Sequence, residues 1–278
     1  MIAAQPYNRP NMKSDKKIAE NHFKQSLRRG EKQVGIWITL YSTDCAELLS
    51  GADFDWMLFD MEHTCNDPTQ VIEMLRAANG SPSEPVVRIP WRDPAIMKRL
   101  LDSGVRTFMV PFIQNAEEAA AVISSTRYPP HGIRGVNGTM RANGYGRARI
   151  DYQKRYADEI CVIVQVETPE AIANIPAIGA VDGVDAIFVG PNDLAANMGL
   201  YGQTSHSAVK SAIQEALALI QSTGKAAGIL NYNNQEALEL FNQGYAMIAV
   251  GSDAGLLVRH ADELRNSFTA VKRARLAT

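Results

Sequence analysis

Two carboxylates close short apolar runs: Glu167 follows CVIVQV and opens ETPEAIANIP, and Asp193 follows DAIFVG within GPNDLAANMG. A carboxylate at the end of a buried strand is costly unless a cation or a donor meets it. Brought together from different strands, two such groups can hold a hard divalent ion; taken singly, each can instead cap the helix that follows. Other groups share this placement. Asp60, Glu62 and His63 end and follow DWMLFD, Trp37 lies in VGIWITL, Arg88 in PVVRIP, and Gln165 two residues before Glu167. The planar fork of Arg88 suits the carboxylate of a small oxoacid, or an internal salt bridge. His63 is placed to move protons near neutral pH, or to serve as a hydrogen-bonded core imidazole. Asp60 and Glu62 can hold a bound water, order His63, or cap the next helix.

The elements that must position these groups repeat. Strands are predicted at 34–40, 55–60, 85–90, 107–111, 161–166, 185–190, 226–230 and 247–250, mostly alternating with helical patterns. The Asp-Pro pairs at 67–68 and 93–94 mark helix starts, and SAVKSAIQEALALIQSTG (207–224) is the clearest helix. Eight such cycles predict a single (β/α)8 barrel, in which all strand ends meet at one mouth. A doubly wound sheet is the alternative, weakened because no GxGxxG follows the first strand. The division expected is a tail and short helix over 1–30, with a basic helix from Lys13 to Arg29, then a barrel with a C-terminal helical extension over 31–278. Segment 128–150, rich in glycine and arginine, is expected to be an irregular loop that covers bound substrate. The last run, from Asp253, is amphipathic and expected to cover the barrel or pack against a partner, with His260 on its surface.

Composition bounds the rest. The 278 residues are 46% hydrophobic, enough to bury the core of one barrel. A net charge of -2 without a dense basic block argues against nucleic acid. No run approaches a membrane span and no apolar leader opens the chain, so a cytoplasmic protein is expected. Cys45, Cys65 and Cys161 lack the spacing of a disulfide scaffold or thiolate zinc site.

The blocks GIWITLYSTDCAELLSGADFDWMLFDMEH, PVVRIPW, LLDSG, RYPPHGIRG, QVETPEAIANI and GVDAIFVGPNDLAANMG occur in this order between about residues 30 and 268. Together they resemble the HpcH/HpaI aldolase family, in particular its 4-hydroxy-2-oxoheptane-1,7-dioate, 2-keto-3-deoxy-L-rhamnonate and 2-dehydro-3-deoxyglucarate aldolase branches. The resemblance implies a phosphoenolpyruvate/pyruvate-type barrel and a class II aldolase that forms or cleaves 4-hydroxy-2-oxoacids. Pyruvate enolate would be the nucleophile and a small or hydroxylated aldehyde the electrophile. By the same resemblance Glu167 and Asp193 match ligands of Mg²⁺ or Mn²⁺, with Co²⁺ a further candidate. Arg88 and His63 match catalytic positions, Asp102 the acidic partner of the histidine, and Trp37 and Gln165 substrate contacts. Asn192 stands in a substrate-contact position where similar enzymes carry serine or alanine, and MEH replaces the usual GEH or DHE, so the aldehyde preference is open. Asp102 ends a helix and should lie at the opposite end of its own barrel from His63. If it pairs with His63, the helix extends unusually or a second subunit supplies it, the latter preferred and implying a homo-oligomer, a hexamer among the candidates, with sites near subunit interfaces; otherwise it packs in a helix-terminal turn. Lys98, Lys154 and Lys225 fall away from the mouth, which disfavours Schiff-base chemistry. The alternatives are a CoA-thioester lyase, an oxoacid decarboxylase or tautomerase on the same enolate-stabilising site, and an inactive oligomeric interaction protein.

Overall fold

Eight apolar runs form parallel strands that pair in chain order and close on themselves. The structure, a computed structural model, describes residues 16–274. The strands are β1 (Gln33–Ile38), β2 (Trp56–Asp60), β3 (Glu84–Arg88), β4 (Thr107–Val110), β5 (Cys161–Val166), β6 (Ala186–Val189), β7 (Ala226–Leu230) and β8 (Met247–Ser252). Helix α1 (His22–Arg28) precedes them. Between them run α2 (Thr43–Ser50), α3 (Pro68–Ala77), α4 (Pro94–Asp102), α5 (Ala116–Thr126), α6 (Arg149–Glu159), α7 (Pro169–Ala173), α8 (Ile175–Gly179), α9 (Pro191–Asn197), α10 (Ser207–Ser222) and α11 (Asn234–Gln243); α12 (Asp253–Ala274) follows. This is the (β/α)8 barrel that the periodicity predicts. The Asp-Pro starts act as expected: Asp67 accepts from the backbone of Thr69 and Gln70, and Asp93 from that of Ala95 and Ile96.

The two-residue period of a strand sorts the side chains. Ile36, Ile38, Met57, Phe59 and Val87 face outward into the layer shared with the helices. Trp37, Trp56, Leu58, Val86, Ile163 and Phe188 form a second cluster inside the barrel. Continuing the inner parity to the strand ends carries Asp60, Arg88, Gln165 and Glu167 toward the axis. Aromatic rings climb that axis, with Phe23 of α1 6.3 Å from Trp56, Trp56 5.9 Å from Trp37, and Trp37 5.7 Å from Phe188. The column needs a glycine beside it, because a Cβ on Gly35 would lie 2.1 Å from the Trp56 ring.

At the foot of the column α1 plugs the barrel with Phe23 and Leu27. Buried Lys24 donates to the Ile160 carbonyl and pairs with Asp185 at 3.3 Å. The helix is shorter than the Lys13–Arg29 span expected. Residues 13–15 lie outside the described residues, and 16–21 are not helical because α6 claims their backbone. Ile18 N donates to Asp151 Oδ2 at 2.8 Å and Asn21 N to Glu159 Oε2 at 2.6 Å, while the Asn21 side chain caps α1.

Segment 128–148 is corrected in both structure and place. It contains a 3-10 turn at Arg141–Asn143, and α6 already begins at Arg149. It connects the end of α5 to β5, so it lies at the N-terminal ends of the strands, opposite the mouth, and cannot cover a substrate bound in its own barrel. Arg134 is buried there above the Tyr128 ring at 4.6 Å and donates to Asp102 at 2.9 Å; Arg141 donates to the Ser103 carbonyl at 2.8 Å. The first turn of α12, through Asp253 and Leu256, packs on the barrel, whereas residues 257–268 are all exposed. Among the described residues no helix is long and apolar enough to cross a membrane.

Closure between β8 and β1 is fastened by Asp253. Its buried carboxylate accepts from Thr39 N at 2.9 Å, Thr39 Oγ1 at 2.7 Å and Leu40 N at 2.9 Å. Removing it leaves buried donors unpaired, which costs roughly 2–3 kcal/mol. Asp253→Ala is therefore expected to lower the urea midpoint well beyond Asp182→Ala, which removes an exposed pair worth under about 1 kcal/mol. Equal midpoints for the two variants would remove the staple from the account.

Candidate active site

Asp60 and Arg88 end adjacent strands in register, so their side chains meet at the top of the barrel. Arg88 Nε and Nη2 donate to the two oxygens of Asp60 at 2.9 and 2.7 Å, and Asp60 Oδ1 also accepts from Glu62 N at 2.9 Å. Both residues are buried. Arg88 Nη1 lies 2.8 Å from Glu62 Oε2 in an ion pair, off the direction of a hydrogen bond, so that this oxygen has no hydrogen-bond partner. Beneath, the guanidinium rests 5.4 Å from the centre of the Trp37 ring, on top of the aromatic column. Burial alone would lower the arginine's pKa, but its bond to Asp60 and the nearby carboxylates raise it, so it stays charged.

Across the mouth, Glu167 follows β5 and Asp193 lies in the first turn of α9. Asn197 ties the two segments together by donating to the carbonyls of Asp193 at 2.9 Å and Glu167 at 3.2 Å. Gln165 Nε2 donates to Glu167 Oε1 at 2.6 Å, leaving the buried Gln165 Oε1 with no partner. Burial pushes the Glu167 carboxyl up to about 8, helped by the charges of Glu62 and Asp193 and opposed by Arg88 and the backbone N–H of Phe112. Glu62 is likewise raised, first by burial. Phe112 delivers its N–H from a left-handed conformation, φ +56°, which only the surrounding structure can hold in a bulky residue. Gly190 approaches from β6 so closely that a Cβ would sit 2.6 Å from Glu167 Oε1.

Four carboxylates, Asp60, Glu62, Glu167 and Asp193, thus face one guanidinium. A hard divalent cation fits this donor set: it relieves the repulsion and gives Glu167 a partner for its charged form. Among the described residues no three His, Cys, Asp or Glu side chains form a closed cage. Mg²⁺-type ions commonly use one or two carboxylates and fill their remaining positions with water and substrate, so two protein carboxylates suffice.

The other sequence-selected residues fall in three places. His63 stands on the rim, largely exposed, with Nε2 3.8 Å from Glu62 Oε2. Asn192 is exposed beside Asp193 and lines a separate cavity. Asp102 is at the far end of the barrel, bound to Arg134. Sequence reasoning missed Phe112, whose role is carried by its backbone, and the supports Asn197 and Gly190. It left Asp60 to hold a bound water, order His63 or cap the next helix, and did not name it as the partner of Arg88; the shared position of the two groups at neighbouring strand ends was the available signal.

Residues 33–261 match the family model described as HpcH/HpaI aldolase/citrate lyase. The chain is 47% identical over 258 residues to the 4-hydroxy-2-oxo-heptane-1,7-dioate aldolase of Shigella sonnei (strain Ss046), covering 91% of this chain and 98% of that one. It is also 47% identical over 250 residues to the enzyme of the same description from Klebsiella pneumoniae subsp. pneumoniae, covering 90% and 94%. Among solved structures it is similar to an HpcH/HpaI aldolase/citrate lyase family protein from Burkholderia cenocepacia J2315, with TM-score 0.85, 40% identity, and coverage of 91% of this chain and 99% of that one.

The raised Glu167 carboxyl has a consequence for stability. Between its unfolded value near ~4.3 and about 8, the folded protein retains a proton that the unfolded chain releases, so stability without metal falls as pH rises through that window. A cation competes with this proton. The increase in melting temperature on adding Mg²⁺ or Mn²⁺ to chelator-treated protein is therefore expected to grow from about pH 5.5 to about pH 8.5, and to shrink in Glu167→Gln. A metal effect independent of pH would contradict this assignment of Glu167.

Proposed function

The chain belongs to the HpcH/HpaI aldolase/citrate lyase family, and from that premise we propose that it is a divalent-metal-dependent aldolase forming or cleaving 4-hydroxy-2-oxoacids. Pyruvate enolate is the nucleophile and a small or hydroxylated aldehyde the electrophile. The observation that carries this reading is the mouth itself, where Glu167 and Asp193 lie in an excess of carboxylates facing a charged, immobilised Arg88.

Glu167 and Asp193 would hold Mg²⁺ or Mn²⁺, with Co²⁺ a third candidate. When bound, the ion supplies the positive charge against which a 2-oxoacid loses a proton from C3 at moderate cost. Gln165 fixes one Glu167 oxygen and Gly190 leaves room for the carboxylate to turn toward the mouth. Arg88, prevented from swinging by its two bonds to Asp60, would offer Nη1, which faces Glu62 in this structure, to a substrate oxygen and stabilise the charge developing there. Trp37 forms the floor beneath it. His63, on the wet rim, exchanges the proton with substrate directly or through a water. Asn192 stands where it can meet the aldehyde.

Asp102 enters this scheme from another copy of the chain, because its own barrel separates it from His63. The apolar side chains of Leu257, Leu264 and Phe268, exposed on one side of α12, support an oligomer. His63→Ala and Asp102→Ala are each expected to be nearly inactive alone. Co-refolded, they should regain activity through mixed sites that carry both intact residues, and sedimentation would give the subunit number. A mixture no better than its components would overturn the shared site.

The reading as a whole is tested by deuterium incorporation at C3 of pyruvate in D₂O, before any aldehyde is chosen. Metal-stripped enzyme is expected to show none, and Mg²⁺ or Mn²⁺ to restore it. Glu167→Ala and Arg88→Lys should each lower the restored rate by about 10²–10³-fold. Exchange absent under every metal, or unaffected by both substitutions, would overturn the proposal.

A further inference from the structure

Beside the mouth, between α10 and α11, lies a cavity of about 330 Å³, near the lower end of the range for small-molecule sites. Asn192, Asn231, Tyr232, Lys210 and Glu236 help line it. Tyr232 follows β7 by two residues and continues the parity of Ala226 and Leu230, which pack against the inner cluster. Its side chain bounds the cavity and is near enough to the strand-end charges to feel Arg88 and Asp60. Burial pushes its phenol up, so it remains a neutral donor. Ser252 is the register partner of Trp37, the ring beneath Arg88. Tyr232 is half exposed.

We propose that Tyr232 is the wall between the catalytic mouth and this cavity, and that the two together select the aldehyde by accepting a neutral, hydroxylated tail. The cavity presents amides from Asn192 and Asn231 and hydroxyls from Thr204 and Ser205. Its single cation, Lys210, is 3.6 Å from Glu236, and Glu239 adds a second carboxylate, so an aldehyde ending in a carboxylate meets net negative charge. Hydroxyl groups meet donors and acceptors that can satisfy them. The amide of Asn231 donates to Glu236 at 3.0 Å and holds this arrangement in place. The selection acts on the second half of the reaction and rests on the aldolase reading above.

The test uses the full-length, metal-loaded enzyme with pyruvate and three four-carbon aldehydes: erythrose, butanal and succinic semialdehyde. Selectivity is read as a ratio of kcat/KM values within each variant, so a general loss of active protein cancels. The unsubstituted enzyme is expected to favour erythrose over succinic semialdehyde by about 10-fold or more. Tyr232→Ala should collapse that ratio, chiefly through KM for the aldehyde, and Tyr232→Phe, which keeps the wall but loses the hydroxyl, should fall between. Glu236→Gln, which frees Lys210, should raise kcat/KM for succinic semialdehyde about 5-fold or more relative to erythrose. Preference of the unsubstituted enzyme for succinic semialdehyde, or ratios unchanged in both Tyr232→Ala and Glu236→Gln, would overturn the inference while leaving the aldolase reading intact. Failure of pyruvate C3 exchange in the unsubstituted enzyme would overturn both.

Discussion

The bond between Asp60 and Arg88 is the constraint around which the mouth is arranged. Neither charge would survive burial alone; together, in bidentate geometry, each satisfies the other. The pair is possible because β2 and β3 end in register, and register in turn depends on the side chains below: a one-residue slip would turn both charges into the helix layer. Asp60 also holds the backbone of Glu62, so the loop carrying Glu62 and His63 starts from a fixed point. The aromatic column beneath makes the arrangement stiff. Through it, the packing of α1 at one end of the barrel supports the level of the guanidinium at the other.

Around that fixed cation the protein gathers more carboxyl groups than it pairs. A barrel built for stability alone would place apolar groups at its strand ends. Here burial and the neighbouring Glu62 and Asp193 push the Glu167 carboxyl up to about 8, Phe112 adopts an unfavourable backbone conformation, and buried oxygens of Glu62 and Gln165 lack hydrogen-bond partners. These costs share a single location, and a bound divalent cation would relieve them. The fold tolerates them because the strands below are buried on both faces and are little disturbed by what their ends carry.

The sequence made the barrel legible because its signals were local and repeated: apolar runs of strand length, Asp-Pro helix starts and glycine stops. Strand-end residues such as Arg88, Glu167 and Asp193 could be singled out for the same reason, since connectivity alone places all strand ends on one rim. Partnerships across strands were harder. Asp60 was legible as a strand-end acid, yet its choice of Arg88 over His63 follows from register and inner parity, which need neighbouring strands to be aligned. Segment 128–148 misled because glycine and arginine content describes a loop's chemistry and not which end of the barrel it occupies; its position after a helix and before a strand was the better guide. The short α1 was overextended because residues 16–21 look helical in isolation and are drawn away by acceptors on α6, more than 130 positions distant. Tyr232 gave no motif at all, and only the cavity beside it draws attention to the side chain.

The staple at Asp253 also sets an order of events. Its bonds to Thr39 span 214 positions, so the first strand lacks its second neighbour until synthesis has passed Asp253. Loop-closure entropy makes such a distant contact slow to form. Until then β1 offers an unpaired edge, and the rim, which needs strand ends from both sides of the seam, is incomplete. A nascent chain that stops short of Asp253 can therefore assemble much of the wall but not the ring, and the mouth is completed in one step once that residue has been added.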